Sequence, residues 1–161
     1  MLRIRRENSG FTLIELVVTV AIIGLLSSAA FPLLEMSVQR SKEQDLRNAL
    51  VTIRNGIDEY KRLADLGHVE MEISESGYPP ELNVLSTGIK DLRDPDLKKI
   101  YILRRIPRDP FYPDKSISPE DTWGMRSYES PPEAPVAGED VFDVYSLSQR
   151  SGLNGVPYRE W

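Results

Sequence analysis

Few residues in this chain could do covalent chemistry. There is one histidine, His68, in a polar stretch, and there is no cysteine. No Cys/His cluster has metal-ligand spacing, and no glycine-rich phosphate loop occurs. The acids Glu139 and Asp140 are adjacent rather than facing. Glu70, Glu72 and Glu75 scatter along a polar stretch that reads as wet surface, with His68 as a solvated loop residue. These patterns do not make an enzyme. One acid is placed where it needs a reason. Glu15 follows Gly10-Phe11-Thr12-Leu13-Ile14 and precedes an uncharged run from Leu16 to Leu34. That run gives roughly 28 Å of helix, close to the hydrocarbon thickness of a bilayer. An ionised acid at its edge costs on the order of 2–4 kcal/mol, and such acids are usually functional.

Before Glu15 the chain has a short basic leader, Arg3, Arg5 and Arg6, ending in Ser9-Gly10. Two ordinary readings compete. One is a secretory signal with a small-residue cut near Ser28-Ala29-Ala30, but the apolar stretch is too long and Glu15 weakens a signal core. The other is a plain single-span anchor, which leaves Glu15 unexplained.

The motif Gly10-Phe11-Thr12-Leu13-Ile14-Glu15-Leu16, with Pro32 inside the apolar helix, resembles the type IV pilin and pseudopilin superfamily. That resemblance implies a prepilin peptidase that cuts after Gly10 and N-methylates Phe11. Cutting there removes the arginines and leaves an amine cation beside an apolar helix. In a helical stack the amine pairs with a neighbour's Glu15, and burying two opposite charges together costs far less than burying either alone. Pro32 is carried over as an assembly feature of the helix. It could also simply mark the end of the span.

The elements that must position these residues follow from periodicity. From Gln39 to Asp45 the chain is polar with no Gly or Pro. Apolar residues then return at Leu46, Ala49, Leu50, Ile53, Ile57, Tyr60 and Ala64, the spacing of one helical face. Gly67 is the expected stop. One bent helix from about Phe11 to Leu66 is predicted, roughly 84 Å long at the standard rise, with Gly56 at a close packing contact. Tyr78 to Leu85 reads as a turn into a short helix with Leu82 and Leu85 inward. Ile100 to Leu103 forms a short apolar element, and Asp91 to Lys99 is exposed. Trp123–Ser130 and Val141–Ser146 read as strands separated by a proline-rich connection. The stretch Ser151-Gly152-Leu153-Asn154-Gly155 has turn chemistry. The predicted class is α+β: a long N-terminal helix packed on a small C-terminal antiparallel sheet, pilin-like. Residues 1–10 are a leader, 11–36 a membrane or filament-core helix, and 37–161 a periplasmic domain that includes the helix's amphipathic half.

The order of Tyr78-Pro79, Ile106-Pro107-Arg108-Asp109-Pro110-Phe111, Trp123-Gly124, Ser127-Tyr128 and Asp143-Val144-Tyr145-Ser146 looks like the major pseudopilin of type II secretion systems. In that family the Asp-Pro and Trp-Gly pieces are continuous. Here the eleven residues Tyr112 to Thr122 separate them. The resemblance implies a helical homopolymer grown from the inner membrane, with a prepilin peptidase, minor pseudopilins and an assembly platform as partners. The filament would move protein substrates across the outer membrane. The positive leader puts the N-terminus in the cytoplasm and the rest in the periplasm. The alternatives are a surface type IV pilin for adhesion, motility or DNA uptake, and a stand-alone anchored binding module. A tip subunit is disfavoured, since the family's tip subunit tends to lack the acid. Loss of the leader (Arg3, Arg5, Arg6 and Glu7) takes the formal charge from −5 to −7. An acidic domain argues against nucleic acid.

The resemblance also implies calcium in the loop after the last strand. Calcium takes six to eight oxygens, usually including carboxylates. After Asp143 this chain has no acid until Glu160. The nearest candidates are Asp140, Asp143, Ser148 and Asn154. The expectation is no cofactor and an absent or weak calcium site, with Arg150 as a fixed cation that pairs with Asp143 or Asp140. A merely solvated Arg150 is the alternative.

Overall fold

The computed structural model describes residues 10–71 and 76–161. The leader's Arg3, Arg5 and Arg6, and the acids Glu72 and Glu75, lie outside the described residues. The chain divides into two units, Met1–Gln39 and Arg40–Trp161. Helix α1 (Leu13–Asp65) runs through both and continues through Pro32. Proline has no N–H, so the helical ladder lacks one bond at that residue.

Within the first unit the helix is uncharged from Leu16 to Leu34, and its described large apolar side chains are exposed. The apolar stretch of α1 is long enough to cross a membrane, and none of it is buried. Within the second unit the pattern is amphipathic, and the predicted face is the buried one. Leu46, Leu50, Ile53 and Ile57 are almost fully enclosed, with Ala49, Tyr60, Leu63 and Ala64 beside them. Each large side chain so enclosed contributes roughly 1.5–3 kcal/mol. The helix ends as predicted. Gly67 has φ +75°, its N–H donates to Ala64 O, and the His68 N–H donates to Leu63 O, a Schellman arrangement. Gly56 sits under a side chain: a Cβ there would lie 3.1 Å from Leu103 Cδ1.

Opposite this face lie short elements. Leu82 and Leu85 point inward around helix α2 (Val84–Thr87). Strands β1 (Ile89–Lys90) and β2 (Lys99–Ile100) pair antiparallel. Strands β3 (Trp123–Arg126) and β4 (Asp143–Ser146) form a second antiparallel pair, with Trp123 opposite Ser146 and Arg126 opposite Asp143. The fold is thus the expected α+β arrangement, though the strands are shorter than predicted and form two sheets. After Arg126 the chain turns, with the Ser130 N–H donating to Ser127 O, because the prolines that follow cannot extend the ladder.

The insertion 112–122 is built around one cation. Arg108 Nη1 donates to Asp114 O at 2.8 Å, and Nη2 donates to Ile117 O. At its far end the split motif is rejoined. The Asp109 N–H donates to Thr122 Oγ1 at 3.1 Å, and Trp123 Nε1 donates to Pro107 O at 2.9 Å. The insertion loops out while its two ends stay in register with the core.

Candidate functional site

Thr12 is the residue just before α1, and it closes a capping box with Glu15. The Glu15 N–H donates to Thr12 Oγ1 at 3.3 Å. Glu15 Oε2 accepts from the Thr12 N–H at 3.3 Å and from the Thr12 hydroxyl at 3.2 Å. Two amides at the helix start that have no partner within the helix are satisfied this way. A carboxylate here also faces the positive end of the helix dipole. Part of what stabilises Glu15 is therefore its own helix N-terminus. The Thr-x-x-Glu spacing was present in the sequence and Thr12 could have been singled out from it. Only Oε2 is engaged in these bonds, so the carboxylate can still take another donor. Phe11 is 87 % exposed, and Gly10 has open space around it. Pro32 lies further along the same exposed stretch.

The C-terminal candidates are placed differently from the expectation. Asp143 carries two guanidinium groups. Arg54 Nε donates to Oδ1 at 2.8 Å and Arg126 Nη2 to Oδ2 at 3.3 Å. Asp140 accepts from the Tyr128 N–H at 2.9 Å and from the Ser76 hydroxyl. Arg150 pairs with neither acid. Its guanidinium lies over the Phe111 ring, 5.6 Å from the centroid. The cation that Asp143 takes comes instead from α1: Arg54 lies 89 positions away in sequence. Ser148 Oγ accepts from the Arg150 N–H at 3.3 Å, and Asn154 Oδ1 from the Val156 N–H at 3.1 Å. Among the described residues no three His, Cys, Asp or Glu side chains are grouped to hold a metal. Asp140, Asp143, Ser148 and Asn154 each already accept a hydrogen bond from the protein, and both oxygens of Asp143 accept from arginines.

Two other titratable residues are better anchored than sequence suggested. His68 is half-buried, with Nδ1 2.8 Å from Asp91 Oδ1, rather than merely solvated. The Arg93 backbone N–H, with His68 beside it, holds the Asp91 carboxyl below its ordinary range. Asp109 is buried in the core. It accepts from Ser146 Oγ at 2.5 Å and from the Phe111 N–H at 2.8 Å. Burial pushes its pKa up against those bonds.

The helix start thus carries an acid at its third position, at the head of an apolar span. Residues 5–31 match the prokaryotic N-terminal methylation motif. The chain is 24 % identical to type II secretion system core protein G of Escherichia coli, over 92 % of this chain and 99 % of that one. It is 24 % identical to core protein G of Klebsiella michiganensis, over 91 % of this chain and 99 % of the relative. For the Vibrio cholerae protein of the same name the identity is 28 %, over 72 % and 75 %. No solved structure matches the chain. The chain is thus a homologue of type II secretion system core protein G, the major pseudopilin, across most of its length.

Proposed function

We propose that this chain is the repeating structural subunit of a type II secretion-like pseudopilus. The observation that carries this reading is the pairing of two features on one chain. A methylation motif heads an uncovered apolar helix, and similarity to core protein G extends through the periplasmic elements. The precursor spans the inner membrane once, with its leader in the cytoplasm. A prepilin peptidase cuts between Gly10 and Phe11 and methylates the new amine. That amine then meets the open side of a neighbour's Glu15, and the apolar helices bury one another as the filament core. Pro32 interrupts the helical ladder within that core. Energy for extraction comes from partner proteins: an assembly platform, minor pseudopilins and a cytoplasmic motor. The chain itself does no catalysis. The growing filament helps move folded protein across the outer membrane.

Intact-mass spectrometry of the membrane form tests the first step. A mature terminus at methylated Phe11 is expected; a terminus at Ala30 or Phe31, or an intact Met1, overturns the reading. Glu15→Leu tests the second: insertion should persist, or improve as a costly acid is removed, while sheared-filament yield falls to background.

A further inference from the structure

We propose that Glu43 is the positioning residue of the C-terminal segment, setting the turn at 150–158 against α1 without a metal ion. This goes beyond the filament reading and does not depend on it. Glu43 lies on α1 and is nearly buried. A single carboxylate oxygen, Oε1, accepts from the Leu153 N–H at 2.8 Å and from the Tyr158 hydroxyl at 2.9 Å. The two donors come from opposite sides of one turn. That turn also closes on itself: the Gly152 N–H donates to Val156 O at 2.9 Å, and the Tyr158 N–H to Arg150 O at 3.1 Å. Glu43 therefore fixes where a preformed turn sits, rather than creating it.

Three further contacts share the task. The Tyr158 ring is fully enclosed and stacks on Phe111 with centroids 4.1 Å apart. The Arg47 guanidinium covers the Trp161 ring at 4.4 Å, and Arg54 donates to Trp161 O at 2.8 Å. Positions 43, 47 and 54 fall on one side of a helix. A metal-held loop brings its own carboxylates, and none occurs between Asp143 and Glu160. Here the helix supplies the carboxylate and the loop supplies the donors, the reverse of metal ligation. Nearly buried, that carboxylate is kept by the hydrogen bonds it accepts.

The test uses the full chain in detergent micelles, followed by hydrogen exchange at the Leu153 amide and trypsin cleavage at exposed Arg150. Wild type should give the same rates with calcium and with chelator. Glu43→Met keeps the volume and removes the acceptor, so Leu153 exchange should quicken about tenfold or more. Glu43→Gln keeps an oxygen at the same place and should restore protection. Loss of packing alone would not be rescued in that way. If Glu43→Met does not fold, Tyr158→Phe decides, since it keeps the ring on Phe111 and deletes one donor; cleavage at Arg150 should rise several-fold. Slower exchange on adding calcium to wild type overturns the proposal. So does unchanged Leu153 exchange in a folded Glu43→Met, failure of Glu43→Gln to restore it, or unchanged cleavage in Tyr158→Phe.

Discussion

The two stretches of α1 use one backbone and treat apolar side chains in opposite ways. From Leu13 to Leu34 every described large apolar side chain is exposed. From Leu46 to Ala64 the apolar residues fall on one side and are enclosed by the chain's own α2, β3, β4 and C-terminal turn. A helix that is hydrophobic all round needs a covering from outside the chain, whether lipid or other helices. A striped helix finds its cover at home. The same contrast separates the carboxylates. Glu15 shares a capping box and keeps capacity for a donor, while Glu43 is committed to two donors from the C-terminal turn.

The largest effects that break this contrast come from deleting side chains in each stretch. Ile53→Ala or Leu46→Ala should destabilise the 40–161 unit by about 2–5 kcal/mol, since both sites are fully enclosed. Chemical denaturation followed by tryptophan fluorescence would measure it. Leu26→Ala, in the exposed stretch, should leave that transition unmoved and lower filament yield instead. A matching loss of unit stability in Leu26→Ala would show that the first stretch is packed within its own chain.

Glycines sharpen the same comparison at a smaller scale. A Cβ on Gly124 would lie 2.3 Å from two carbons of the Tyr145 ring on the paired strand. Gly124→Ala should therefore cost roughly 1–3 kcal/mol. Gly24 has nothing within 4 Å, so Gly24→Ala should leave the denaturation midpoint of the 40–161 unit unchanged. If Gly24→Ala blocks filaments, the open space is filled by a neighbour.

The contrast also explains what could be read from the sequence. Both stretches of α1 were legible, the first as an uncharged run of membrane-spanning length and the second as apolar residues at helical spacing that end at Gly67. Leu82 and Leu85 were legible for the same local reason. The methylation motif was legible because it is short and contiguous. What escaped was held by distance. Tyr158 meets Glu43 across 115 positions and Arg54 meets Asp143 across 89, and no local pattern announces either contact. Hence local sequence points to Arg150, a near neighbour, as the cation for Asp143, whereas α1 supplies it through Arg54. The strands β1 and β2 are two residues each, too short for alternation to show. A loop organised by an arginine was expected, but it is Arg108 that gathers carbonyl oxygens, in the insertion rather than the tail.

Acid titration separates two carboxylates of the second unit. Asp109 has its pKa raised by burial, so its ionised form is disfavoured in the folded state. Its contribution is most favourable below the unfolded carboxyl pKa and is lost as pH rises through the folded one. Asp109→Asn can keep its oxygen on the Phe111 N–H and turn its amide toward the Ser146 hydroxyl. The variant should melt higher than wild type near pH 7, with the gap closing as pH falls below about 4. A gap that is independent of pH would mean that ionisation of Asp109 does not weaken the fold.

The smallest effect belongs to Glu59, on the exposed side of the striped stretch. Its carboxylate receives Arg62 Nε at 2.8 Å and Nη2 at 2.6 Å, one helical turn away. The arginine hydrogen bond lowers its pKa. The sign is opposite to that of Asp109: stability from this pair is present above the unfolded carboxyl pKa and is lost as pH falls through the folded one. Yet both groups stand in water, where such pairs contribute little and salt screens them. Glu59→Gln should therefore leave the melting temperature at pH 7 within error of wild type, both in dilute buffer and near 1 M salt. A clear drop confined to low salt would mean that this outward face carries stabilising charge, and the two sides of α1 would then be less unequal than burial alone makes them.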